Sequence, residues 1–134
     1  MTSLGEIIGI APSVVERLRD TGVRTTEQLV EVGATSSGRM RLADETGLDD
    51  ETIKLWVHQA DLMRVSGIGP ELAHLLCQVG VSTVPKLAYR STEKLYEELS
   101  AYARRVHKVA ALPSKIELHG FGIVAKHLPK LVRH

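Results

Sequence analysis

The chain has 134 residues and a formal net charge of +1 at pH 7; 43% of it is apolar and only 4% aromatic. That length fits one domain, or two small motifs sharing one core, and so few aromatics leave Leu, Val, Ile and Ala to build the core. No apolar run approaches the ~20 residues that cross a bilayer, no basic-then-apolar leader opens the chain, and the single cysteine, Cys77, excludes an internal disulfide and leaves no zinc spacing. These features read as a soluble, cytoplasmic protein with no membrane partner.

Strand-like alternation nowhere persists, and the expected fold class is all-α. Ser3-Leu4-Gly5-Glu6 has the pattern of a capping box. Gly9-Ile10-Ala11-Pro12 is a tight reversal, with Pro12 in the first turn of a new helix, where no N–H is needed. Val14, Val15 and Leu18 form the buried face of that helix and Gly22 closes it. Thr25-Thr26-Glu27-Gln28 is a second capping-box pattern. Residues 33–38, Gly-Ala-Thr-Ser-Ser-Gly, read as a turn or loop before a short helix over 38–46 that Gly47 ends.

Asp49-Asp50-Glu51-Thr52 opens the next helix, with Asp49 as cap and acids in the first turn. Ile53, Trp56, Val57, Ala60 and Met63 then recur at helical spacing. Gly67-Ile68-Gly69-Pro70 stops that helix, and Leu72, Ala73, Leu75, Leu76 and Val79 give the following one its apolar face. Gly80 ends it and Thr83 caps the next. Residues 92–107 are helical by the spacing of Leu95, Leu99, Ala103 and Val106. After a break at Pro113-Ser114 three readings stand: one helix over 114–127 that tolerates Gly120 and Gly122, which is favoured, a third reversal at Gly120-Phe121-Gly122, or a helical tail with little docking.

An internal repeat organises these elements. Gly9, Ile10, Pro12, Leu18, Gly22, Val23, Thr25 and Leu29 recur as Gly67, Ile68, Pro70, Leu76, Gly80, Val81, Thr83 and Leu87, each 58 positions on. A repeat of this length is one supersecondary unit used twice. It divides a single domain of residues 1–134 into a first copy over 1–48, a second over 49–107 and a C-terminal basic segment over 108–134. Val15, Leu18, Trp56, Val57, Ala73 and Leu76 are expected to be buried in one shared core.

The repeated pattern, an apolar residue, Gly-Ile-Gly/Ala-Pro, a helix and Gly-Val-x-Thr, resembles the helix-hairpin-helix motif of DNA polymerases, ligases, repair nucleases and recombinase N-terminal domains. The whole chain, including Gly33-Ala34-Thr35 and Trp56 to Arg64, resembles an uncharacterised bacterial family of tandem helix-hairpin-helix domains. The resemblance implies two such units in a pseudo-two-fold repeat with connecting helices. It also implies backbone amides at each hairpin that hold a phosphate at a helix N-terminus without reading bases. Gly9, Ile10, Ala11 and Ser13 would serve in the first copy, and Gly67, Ile68 and Gly69 in the second.

Charge distribution adds a second group. Residues 1–85 hold 7 Lys/Arg against 12 Asp/Glu, whereas residues 86–134 hold 10 against 4. Arg104, Arg105, Lys108 and Lys115 belong to that basic half and are candidates for an anion-binding face, or for a solvated surface that pairs with the acidic half. Two departures count against phosphate contact. DNA-binding hairpins often carry Lys or Arg just after the turn, where this chain has Ser13 and Glu71, and Ala11 replaces the second glycine in the first copy.

Cys77 lies three residues after His74 with no third group to orient the pair, and reads as a core or boundary thiol. Without a Ser/His/Asp arrangement, a Walker loop or paired-His ligand spacing, the chain reads as non-enzymatic, with no cofactor and no metal. The leading expectation is sequence-independent binding of DNA or another nucleic acid. The alternative is a protein-interaction or scaffolding module, a use that the C-terminal domain of the bacterial RNA polymerase α subunit also makes of this architecture.

Overall fold

The computed structural model describes residues 2–106 and 111–133, and within them every regular element is helical. A 3-10 turn at Leu4–Glu6 precedes α1 (Pro12–Asp20), α2 (Thr26–Gly33) and α3 (Ser36–Thr46). Then come α4 (Asp50–Leu62), α5 (Pro70–Gln78), α6 (Val84–Tyr89), α7 (Thr92–Val106) and α8 (Lys115–Lys126). One isolated antiparallel bridge joins Ser3 to Thr25.

The sequence repeat is repeated in backbone detail. Both α1 and α5 begin on a proline and run for 9 residues. Before them Gly9 and Gly67 take positive φ, 88° and 95°, a conformation open to glycine at little cost. After them Gly22 and Gly80 do the same at 96° and 86°. The amides of Gly22 and Val23 donate to Arg19 and Leu18 carbonyls at 2.9 and 3.0 Å, and those of Gly80 and Val81 to Cys77 and Leu76 at 3.1 and 2.8 Å. This pairing satisfies carbonyls that a helix end leaves open. The hydroxyls of Thr25 and Thr83 then cap α2 and α6, accepting from the amides of Gln28 at 3.1 Å and Lys86 at 3.2 Å.

Several local expectations change in detail. The Ser3–Glu6 capping box forms, but it caps a turn of only 3 residues, whereas the second copy has the 13-residue α4 in that place. At Thr25 the box is open: the Gln28 side chain accepts from the Arg24 amide at 2.7 Å instead of returning to the cap residue. Asp49 holds the N-cap position of α4 without a cap hydrogen bond, its carboxylate turned to the Thr52 hydroxyl at 3.5 Å. The loop expected over 33–38 shrinks to Ala34 and Thr35, because α2 runs through Gly33 and Thr35 caps α3 by accepting from Gly38 at 3.1 Å. Gly33 stays helical because α2 lies so close to α4 that a Cβ there would sit 2.5 Å from Cγ2 of Val57. The last segment is the helix α8, opened by a full capping box between Ser114 and Glu117.

The single shared core expected from the sequence is instead two clusters. Val15, Leu18, Trp56 and Val57 are buried in the first with Leu4, Ile7, Leu29 and Leu42; Ala73 and Leu76 are buried in the second with Leu62, Leu87, Leu95, Leu99 and Leu118. Helix α4 serves both. It packs on α2, α3 and α5, and it is buried on every side from Trp56 to Leu62. Helix α8 lies chiefly on α6. The tail beyond it returns to the first half, where Val132 joins the first cluster and the Arg133 amide donates to the Ala34 carbonyl at 2.6 Å.

Two glycine substitutions separate close packing from helix propensity. Gly33→Ala is expected to destabilise by about 1–3 kcal/mol by overpacking Val57. Gly120→Ala, where a Cβ would meet nothing within 4 Å, should stabilise by about 0.5–1 kcal/mol. Urea denaturation of both variants checks the opposite signs.

Candidate interaction site

The second turn is held from behind by a buried ion pair. Asp61, 1% exposed at its side chain, receives Nε and Nη2 of Arg64 on one carboxylate oxygen at 2.9 and 2.7 Å. Its other oxygen accepts from the backbone amide of Val84, the first residue of α6, at 3.1 Å. Arg64 also donates to the Pro129 carbonyl at 3.0 Å. One carboxylate therefore ties the end of α4 to the start of α6 and, through Arg64, to the tail. In the first copy the corresponding amide, that of Thr26, donates to the Thr2 carbonyl at 3.0 Å instead.

From this anchor the chain turns through Gly67 and Gly69 into α5. A Cβ at Gly67 would lie 2.8 Å from the ring of Phe121, so α8 packs against one side of this glycine, which remains exposed. Beside it opens a groove of about 680 Å³. Its apolar lining includes Ile8, Pro70, Leu72, Leu75, Leu112 and Phe121. Glu6, Glu71 and Glu117 also line it, and among the described residues no lysine or arginine does. Glu6 and Glu117 each give one oxygen to a backbone amide, those of Ser3 at 3.2 Å and Ser114 at 3.1 Å. Glu71 stands exposed in the first turn of α5, where its charge suits the helix dipole.

The first turn differs in charge. Gly9, Ala11, Pro12 and Ser13 are exposed, as Gly67 and Gly69 are, and Ile10 is half-buried, but the first turn of α1 holds no acid. Among the described residues no acceptor meets the amides of Gly9, Ala11 or Ser13, nor those of Gly67, Gly69 or Glu71. Ile68, the counterpart of Ile10, is 5% exposed and belongs to the second cluster, so its side chain is a core group.

Among the described residues none of the basic candidates lines the groove beside the second turn. Arg104 and Arg105 are exposed in the last turn of α7, with the Arg105 guanidinium 5.4 Å from the Tyr102 ring centroid. Lys108 lies outside the described residues. Lys115 is engaged by Glu93 at 2.8 Å and stands 5.4 Å from the Tyr96 ring centroid; the Glu93 hydrogen bond raises its pKa. Sequence reasoning missed Phe121 over Gly67, the convergence of Glu6, Glu71 and Glu117, and the Asp61–Arg64 pair. The pair alone left a local trace, an acid and a base three positions apart on a helical pattern.

The family model described as Domain of unknown function (DUF4332) matches residues 8–128. The chain belongs to this family. No curated protein and no solved structure matches it significantly. No helix among the described residues of this DUF4332 domain is long and apolar enough to cross a membrane, and none of their His, Cys, Asp and Glu form a group of three suited to a metal ion.

Two titratable groups lie on the buried side. Burial pushes the Cys77 thiol up to about 12, with the Asp61 charge adding to it. A thiol held protonated near neutral pH is a poor nucleophile. His58, 8% exposed and with Nδ1 unpartnered among the described residues, is pushed down to about 4 by burial, with the charges of Lys54, Lys86 and Arg39 adding.

Removing the buried carboxylate leaves the Arg64 charge and the Val84 amide without their partner. Asp61→Ala is expected to cost about 3–5 kcal/mol, as for other broken buried pairs, whereas Arg19→Ala at the exposed Glu16 pair should cost under about 1 kcal/mol. Chemical denaturation at one pH and salt compares them.

His58 is neutral in the fold and gains its proton more readily when unfolded, so its contribution is complete above the unfolded value of 6.5 and is lost as pH falls from there toward about 4. The slope is up to about 1.4 kcal/mol per pH unit. Stability measured from pH 7.5 to 4 should decline in this window, and His58→Gln should flatten that decline.

Proposed function

We propose that this DUF4332 domain is a non-catalytic protein-interaction module, built on two helix-hairpin-helix-like units, that docks a partner polypeptide at the second turn. The observation that carries the reading is what surrounds that turn. A phosphate site needs open amides in a positive field; here the field is set by three carboxylates lining the adjacent groove, with the Phe121 ring packed beside the exposed Gly67. An apolar groove with a polar rim is instead a feature of protein-binding surfaces. The close repetition of turn and cap geometry supports the two-unit frame.

The test places a photo-crosslinking phenylalanine analogue at Ile8, in the groove wall and 38% exposed, and separately at Met40, which is 58% exposed outside it. Irradiation of cells is expected to yield a discrete crosslinked polypeptide from position 8 and not from position 40. Equal yields, or crosslinks to nucleic acid from position 8, would contradict the reading.

Nucleic-acid binding is a second reading, carried by the first turn. Its acid-free helix start suits one phosphate. On this reading the chain binds duplex DNA weakly, with a strong salt dependence. Ser13→Glu should then abolish binding in an anisotropy titration, while Glu71→Lys at the second turn leaves it unchanged. Binding that survives Ser13→Glu removes the first turn from consideration.

A further inference from the structure

We infer that the segment docked at the second turn is a short stretch of polypeptide whose apolar residues are flanked by lysine or arginine. The inference rests on the docking reading above and adds the partner's chemistry.

The floor of the groove is apolar through Leu72, Leu75 and Phe121. Its three carboxylates come from three separate elements, Glu6 from the 3-10 turn, Glu71 from α5 and Glu117 from α8. Glu6 and Glu117 each spend one oxygen on a backbone amide, which leaves acceptor capacity on both for an incoming donor. No cation among the described lining residues neutralises any of the three.

A neutral or acidic occupant would strip water from these carboxylates and offer nothing in return, a cost of several kcal/mol for each one fully desolvated. A lysine or arginine offsets that cost by pairing with the carboxylate. Its methylene stem covers apolar wall while its charged head reaches a carboxylate at the rim. The groove, about 680 Å³ and open to solvent, has room for a few side chains and not the face of a folded domain. Charge and volume together select a basic, apolar linear segment.

The experiment selects random dodecapeptides on phage against the full chain, followed by titration of the enriched peptides in synthetic form. The expected sequences carry apolar residues with Lys or Arg within two positions. Their affinity should fall about tenfold or more on Glu71→Lys and should weaken as salt rises, with the fold of the variant verified by its thermal melt. Their binding should also block crosslinking from position 8. Enriched peptides that block that crosslink but show no excess of Lys or Arg would overturn this inference and leave the docking reading intact. Peptides that bind Glu71→Lys as tightly as wild type, without blocking the crosslink, would overturn both. Enrichment that fails while sedimentation shows a dimer broken by Glu71→Lys would also overturn it, in favour of a second copy of the chain as occupant.

Discussion

The carboxylate of Asp61 is the contact on which the arrangement around the second turn depends. It lies at the end of the most buried helix, and its two oxygens serve different masters: one holds Arg64, the other the first amide of α6. Helix N-termini leave such amides open, and a buried one must find an acceptor. The first copy meets the same need with a backbone carbonyl, that of Thr2. The second uses a charge, and the charge in turn requires a cation. Arg64 supplies it and carries the connection outward to the Pro129 carbonyl. A local demand at a helix start thus fixes the path of the C-terminal tail.

That path breaks the equivalence of the two copies. Their turns share glycine geometry, proline starts and cap threonines, but only the second has α8 packed beside it. Phe121 rests on Gly67, and no described residue stands so close to where a Cβ would be at Gly9. The tail then crosses back to place Val132 among the side chains of the first cluster. Two nearly identical backbone units consequently present different surfaces: an open, acid-free turn at one end and an apolar groove lined by carboxylates at the other. The functional proposal follows from this asymmetry and not from the repeat itself.

What the sequence disclosed divides along the same line. Pro12 and Pro70, Gly22 and Gly80, Thr25 and Thr83 act within a few residues of themselves, so their roles could be read directly and the helix ends fall where they indicate. Ser114 and Glu117 belong to the same class, and α8 is the helix favoured there. Gly33 was misread as a loop residue because its reason for being glycine is Val57 on another helix. The expectation of one core failed because α4 is buried on all sides although His58, Gln59 and Asp61 give it the polar face of a surface helix. At the site, the sign of Glu71 was legible beside the turn. Its convergence with Glu6 and Glu117 was not, since those residues are brought together only by packing of the 3-10 turn, α5 and α8. Lys115, read as part of a basic face, is instead engaged by Glu93.

The central claim is that the second turn is a docking face and not a phosphate site. Amide NMR spectra recorded while a short DNA duplex is titrated at low salt test it most directly. The account predicts that the amides of Gly67, Gly69, Glu71 and Leu72 keep their positions throughout, whatever happens at Gly9, Ala11 and Ser13. Saturable, salt-sensitive shifts at Gly67 and Gly69 would contradict it.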